Sequence, residues 1–292
     1  IAGFSLLGIA LGVATLIIVM SVMNGFRAEL LGTILKFNGH VTVSGEGRNI
    51  PDYEQMRQDI LAVEGVTRAT PQIQGQVMVT NQRQAFGSLV RGVSAEDLAQ
   101  RALIVDSLPP QAMQDFAEGR GVLIGKVMAQ KLGLREGGEL TLISPRSTTT
   151  VIGSMPRLKT YPVAGVFDVG MYEYDSSIIF MPLERAQVFF QMDDLVNAIE
   201  IFVENPDQAW LASARIGGAV GSGFRVSNWQ EQNSSFFSAL QVERNVMFLI
   251  LTLIIVVAAF NIISGQIMLV KDKGRDIAIL RTMGATRGMI LR

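Results

Sequence analysis

The sequence has no cysteine among its 292 residues, which excludes a disulfide framework, thiol redox chemistry and a cysteine-bound zinc. Histidine occurs once, as His40, so neither a His-rich metal site nor a Ser/His/Asp set is credible. Charge is scarce too, at 17% of residues against the roughly 25% of an average soluble domain. The deficit is local: residues 1–26 and 245–270 contain no Asp, Glu, Lys or Arg. A net charge of −1 gives no reason to expect a nucleic-acid partner.

Those two runs are the strongest positive signal. A bilayer core about 30 Å thick needs about 20 helical residues. Residues 1–26 and 246–270 both meet that length and are predicted as transmembrane helices, because backbone groups in lipid must find partners inside their own segment. A signal peptide is disfavoured, since Val22-Met23-Asn24-Gly25-Phe26 offers no small-residue cleavage site. The chain starts on Ile1 rather than Met and stops at Arg292 in a helical pattern, and it reads as a segment of a longer protein. Residues 271–292 carry six basic and two acidic residues, which places that end in the cytoplasm. Two spans then put Arg27 to Asn245 on the far side and the N-terminus inside. The first span holds Gly8 and Gly12 in a small-xxx-small pattern, with Gly3 and Ala14 adding to it. That pattern is either a helix contact or the ordinary abundance of glycine in membrane helices. Asn261 bonds either across an interface or to nearby backbone.

Between the spans the composition is that of a folded domain. Residues 38–93 read as strand (His40 to Ser44), helix (Tyr53 to Val63, with Asp52 as N-cap) and two further strands (Val66 to Val79, Ala85 to Val93). Residues 195–228 repeat the logic, with strand Ala198 to Val203, helix Pro206 to Ala219 and strand Phe224 to Ser227. Two such halves predict a split ferredoxin-like α+β unit. Residues 94–194 read as an inserted, mostly-β subdomain. Within it, residues 144–160 are rich in Ser, Thr, Gly and Pro, hold Arg146, Arg157 and Lys159, and contain no acid. Flanked by two β segments, they predict a long hairpin arm, either a basic binding loop or a mobile one with incidental charge. Residues 229–245 predict a stalk helix entering the second span, with Trp229, Phe236, Phe237, Leu240 and Val242 on its apolar faces. The fold class is a membrane protein with α-helical spans plus an α+β domain outside the cytoplasm.

Catalytic signatures fail on spacing. Gly119 to Lys126 approaches a phosphate loop, but Arg120 stands where the first glycine belongs and Val127 replaces the Ser/Thr. The pairs Glu173/Asp175 and Asp193/Asp194 read as solvated loop acids. The chain therefore reads as non-enzymatic, with mechanical or binding work driven from elsewhere.

Four strings carry a resemblance in combination: Ser21-Val22-Met23-Asn24-Gly25-Phe26, Val257 to Ser264, Val270-Lys271-Asp272-Lys273, and Asp276 to Ala285. Together they resemble the LolC/LolE family of lipoprotein-releasing permease subunits, in the MacB-like class of ABC transporter subunits. Gly153-Ser154-Met155-Pro156 followed by Val163 to Phe167 is similar to the LolC branch, whereas the cytoplasmic string is more LolE-like. Val151 stands where the family often has proline. The resemblance implies that the arm is a hook recruiting a LolA-like periplasmic lipoprotein carrier, through Arg146, Gly153, Pro156, Arg157 and Lys159. It implies a coupling helix over 282–292 docking on a LolD-like ATPase subunit through Gly284, Ala285, Arg287, Met289 and Ile290. The tail of that segment also suits a short partner-gripping or lipid-lying helix on its own composition. Lipoprotein acyl chains would rest on Met20, Val22, Met23 and Phe26. The family has four spans, so two would follow Arg292, in a multi-pass protein of the bacterial inner membrane. It further implies a second permease subunit, LolE-like or identical, and no cofactor of the chain's own, ATP being bound by the partner. Rival readings are a MacB-like efflux or mechanotransmission subunit, an FtsX-like regulator of cell-wall hydrolases, and a membrane-anchored sensor.

Overall fold

The computed structural model describes residues 2–290 except 46, 82–83, 151–152 and 222. The chain divides into two units: residues up to Glu29 together with those from Ser234 onward, and Leu30–Asn233.

The first unit is helical. Helix α1 runs Ala2–Phe37, with its last turns from Leu30 belonging to the second unit. Stretches Ala10–Phe37 and Arg244–Thr282 are long and apolar enough to cross a bilayer, and in each the most apolar 18 residues are unburied by protein. At 1.5 Å per residue, 36 residues make a helix about 54 Å long, well beyond a bilayer core of about 30 Å. The predicted limit at residue 26 is therefore not a helix end: Arg27 and Glu29 continue the helix, and it stops at Phe37, just before Asn38-Gly39.

The second unit starts with strand β1 (Val41–Ser44), helix α2 (Tyr53–Leu61) and strands β2 (Val66–Thr80) and β3 (Ala85–Val93). Three short helices follow, α3 (Ala95–Ala99), α4 (Ala102–Val105) and α5 (Pro110–Ala117). Then come β4 (Val122–Gly125), α6 (Lys126–Leu132), β5 (Glu139–Thr150), β6 (Gly153–Phe167), α7 (Tyr172–Ser177), β7 (Ile178–Pro182) and α8 (Leu183–Phe190). The unit closes with β8 (Ala198–Val203), α9 (Ala209–Val220), β9 (Arg225–Asn228) and α10 (Trp229–Gln232).

The strands build two lobes that share β2. Its first half pairs with β8, β8 with β1 and β1 with β9, all antiparallel. That order, with α2 and α9 as the connecting helices, is the split ferredoxin-like unit. Val41, Val43, Ile199 and Ile201 are buried on its helix-covered face. Asp52, expected to cap α2, instead takes a left-handed conformation (φ 46°) and makes no side-chain cap. The second half of β2 pairs with both β3 and β5, and the ring closes through β3–β7, β7–β4, β4–β6 and β6–β5. Closure leaves this six-stranded barrel without a free edge.

Two expectations shift here. β3 was assigned to the ferredoxin-like lobe, yet it belongs to the barrel, because the 15-residue β2 is long enough to serve both sheets. The inserted region is also more helical than its mostly-β reading, with α3 to α8 lying among its strands. The barrel-lobe core contains Leu98, Ile104, Phe116, Leu123, Phe167 and Phe180, together with Phe37 from the end of α1.

Beyond Asn233, helix α11 runs unbroken over Ser234–Thr282, 49 residues and about 74 Å. The stalk expected at 229–245, the span expected at 246–270 and the first part of the expected cytoplasmic segment are thus one helix from Ser234, preceded by the short α10. The stretch 234–282 contains no proline, and single glycines such as Gly265 and Gly274 are tolerated within it. A last single turn, α12, spans Arg287–Ile290.

Candidate functional site

The arm is the hairpin of β5 and β6. Near the barrel the register is regular, with Thr141 opposite Thr160 and Ile143 opposite Leu158. The next pair is Ser147 opposite Pro156, so Ser144, Pro145 and Arg146 face Arg157 alone. This bulge bends the ribbon where it leaves the barrel. Beyond it, pairing resumes to Thr150 opposite Gly153. A cavity of about 260 Å³ lies at the foot, lined by Gln74, Gly75, Ser144, Pro145, Phe190 and Met192.

The two cations on β6 are engaged close to the barrel. The Arg157 guanidinium donates from Nη1 to the Phe189 carbonyl at 2.5 Å, at the end of α8. Carbonyls of a last helical turn lack helical donors, so a cation there is doubly favourable. The Lys159 ammonium stands 5.2 Å from the centre of the Tyr161 ring. Tyr161 packs edge-on against Phe189 at 6.1 Å, and burial pushes its hydroxyl up to about 12, against the opposing influence of Arg185 and Arg157. Arg157 is thus a fastening of the arm rather than a free basic group on it. Pro156 is exposed, as is Leu158, which presents 62% of its surface. The backbone of Arg146 and Gly153 lies in the hairpin strands; the side chain of Arg146 and residue Val151 lie outside the described residues.

In the helical unit, Val22, Met23 and Phe26 are exposed on α1 and Met20 is half-buried. At 100° per residue the four occupy an arc of about 160°. At the other end, α11 stops on Gly284, whose φ of 96° suits a residue without Cβ. Gly284 N–H donates to the Arg281 carbonyl and Ala285 N–H to the Leu280 carbonyl, the paired bonds of a Schellman stop. Thr282 therefore ends α11 and is not part of a separate coupling helix, which is reduced to the turn of α12. Met289 is exposed and Ile290 partly so, and the side chain of Arg287 lies outside the described residues.

The acids dismissed as solvated divide. Asp193 and Asp194 are exposed, but Asp175 is buried in α7, where Oδ1 accepts the Val169 N–H at 3.0 Å. Burial pushes its carboxyl up from the ordinary aspartate range.

A family described as the MacB-like periplasmic core domain matches residues 2–219. The lipoprotein-releasing system transmembrane protein LolC of Xylella fastidiosa (strain Temecula1) is 32% identical over 289 residues, covering 99% of this chain and 70% of the relative. LolC of Neisseria meningitidis serogroup B is 33% identical over 290 residues, again with 99% and 70% covered. This chain belongs to the LolC/LolE family. LolE of Haemophilus influenzae is 28% identical over 298 residues, covering 100% of this chain and 71% of that protein. Within the LolC/LolE frame, the two long apolar helices and the two-lobed domain with its arm are the features through which a membrane subunit would act.

The spacing of residues did not reveal a buried ionic cluster of Arg91, Arg101 and Glu200 in the second unit. Glu200 follows Arg101 by 99 residues, and the two meet where the lobes adjoin. A charged residue inside the apolar string Ala198 to Val203 was the available signal.

Proposed function

We propose that this chain is the membrane subunit of an ABC transporter that extracts lipoproteins from the outer leaflet of the bacterial inner membrane and passes them to a periplasmic carrier. The observation that carries the reading is similarity to LolC proteins along 99% of the chain. The work is mechanical: a separate LolD-like ATPase binds and hydrolyses ATP, and this chain transmits the resulting displacement. The cationic segment 271–292 faces the cytoplasm, and the turn after Gly284 is the ATPase contact. The two-lobed domain faces the periplasm. Its arm, through Gly153, Pro156, Lys159 and the exposed strip around them, receives a LolA-like carrier, while Arg157 holds the arm's foot. Acyl chains rest along Met20, Val22, Met23 and Phe26. A second permease subunit, LolE-like or identical, completes the assembly.

The test is copurification followed by reconstitution of the full-length protein. A LolD-like ATPase and a LolA-like carrier should be recovered with it, and proteoliposomes should release lipoprotein to the carrier only with ATP. Recovery of an outer-membrane channel or a cell-wall hydrolase instead would support an efflux or FtsX-like role and refute the lipoprotein reading.

A further inference from the structure

The last residue of α1 and the three after it are held by side-chain and backbone groups from both lobes of the second unit. The Phe37 ring lies in the barrel-lobe core, stacked on Tyr174 of α7 at 4.2 Å and edge-on to Phe180 of β7 at 6.0 Å. Its carbonyl accepts Nη1 of Arg101, just ahead of α4, at 3.1 Å. Asn38 accepts Arg91 Nη2 from β3 at 2.6 Å and donates Nδ2 to the Tyr174 hydroxyl at 2.6 Å. Gly39 N–H donates to Glu200 Oε1 on β8 at 2.7 Å. His40 N–H donates to the Ile201 carbonyl at 2.8 Å, and its Nδ1 accepts the Val203 N–H at 3.0 Å. Glu200 is the hub, since it also pairs with Arg101 and, at 3.6 Å, with Arg91. All three charged residues are buried.

Two features mark this cluster as more than packing. A Cβ on Gly39 would lie 2.2 Å from Glu200 Cγ, so the backbone approach requires glycine while the carboxylate stays in place. A buried ion pair contributes little stability beyond what well-packed apolar side chains of the same volume would give, yet losing one partner is costly. Its distinctive property is direction. Apolar contact at Phe37 alone tolerates rotation and slip, whereas guanidinium, amide and carboxylate groups in fixed hydrogen bonds do not.

We infer that Glu200, with Arg91 and Arg101, locks the end of α1 to both lobes, so that helix end and lobes are displaced as one body during transport. These are positioning residues; none lies on the arm or on the proposed acyl surface. The inference rests on the transporter reading above.

The test uses the complete transporter with its ATPase in proteoliposomes. Arg101→Gln/Glu200→Gln removes one charge of each sign, and Asn38→Ala is the milder variant. Because these 292 residues contain no cysteine, spin labels at Lys36→Cys and Glu136→Cys report the distance between helix end and barrel lobe without background labelling from them. The double variant should broaden that distance distribution and lower lipoprotein released per ATP by about five-fold or more, the scale of a modest coupling energy. ATP hydrolysis and carrier capture should persist, and Asn38→Ala should lie in between. An unchanged distribution overturns the lock. Loss of carrier capture in both variants also overturns it, leaving the cluster a folding element. If the unaltered transporter releases no lipoprotein, the transporter reading fails instead, and the distance distribution alone decides the lock.

Discussion

Arg157 reaches across from the arm to the carbonyl of Phe189, and the 2.5 Å bond between them fastens the ribbon where its bulge bends it. The hairpin therefore has a tied foot, with Pro156 and Leu158 on either side of the tie.

Arg157→Ala should weaken carrier binding without abolishing it and should lower domain stability by roughly 1–2 kcal/mol, the scale of one charge-assisted hydrogen bond. Arg157→Lys should recover only part, because an ammonium lacks the planar fork. Carrier pulldown and thermal melting check both. Unchanged binding in Arg157→Ala would remove the fastening role, and complete loss would make Arg157 itself the contact.

At the end of α11, Gly284→Ala should cost about 1 kcal/mol in an unfavourable left-handed conformation and misdirect α12, lowering ATPase recovery on copurification. Gly284→Asn should be better tolerated, because asparagine enters that conformation more readily. Equal recovery from both variants would separate the Schellman stop from ATPase binding. Met289→Asp tests the contact itself and should reduce recovery with the stop intact.

Glu200 supplies a pH dependence with a definite sign. Burial alone would raise its pKa, but Arg101, Arg91 and the Gly39 N–H outweigh burial and hold it at about 2, below the ordinary 4.5. The unfolded chain therefore takes up the proton first. The contribution is fully present above about pH 4.5 and is lost as pH falls toward 2, on the order of 3 kcal/mol. His40 adds in the same direction from a higher pH: burial lowers its pKa, so stability drains as pH drops below its ordinary 6.5. Chemical denaturation at stepped pH measures the slope, and Glu200→Gln should flatten the segment below pH 4.5.

A photoreactive side chain at Met23 or Phe26 should crosslink lipoprotein in the absence of ATP and lose it on release. Attachment at Leu7, toward the opposite end of the span, should not. Equal capture from both places would mean general lipid exposure rather than an acyl site.

Much of this architecture was legible in the residues. Uncharged runs marked both spans, alternation marked β1, and the strand–helix–strand order marked the two halves of the ferredoxin-like unit. The acid-free Ser/Thr stretch marked the arm, whose flanking β segments continue into one hairpin. The parts that escaped are those set by tertiary pairing. Nothing local in Val66–Thr80 says that one strand serves two sheets, so neither the place of β3 in the barrel nor the barrel's closure is legible in the residues. Asp175 looked like a loop acid because what covers it is distant in sequence: the backbone of Asp175 packs against Gly125 of β4, 50 residues earlier. Arg157 read as a free cation for the same reason, since Phe189 is 32 residues away. The arm's own residues, the acyl strip and the ATPase turn follow from family resemblance and await the experiments above.

The unbroken course of α11 sets a rule for its length. A helix with no proline over 49 residues preserves angular phase from one end to the other, so adding or deleting a single residue turns everything beyond it by about 100°. Substitutions along this helix can be absorbed locally. Insertions turn the remainder unless a π-bulge takes them up, so natural drift in its length should favour steps that restore the original facing, near seven or eleven residues rather than one or two.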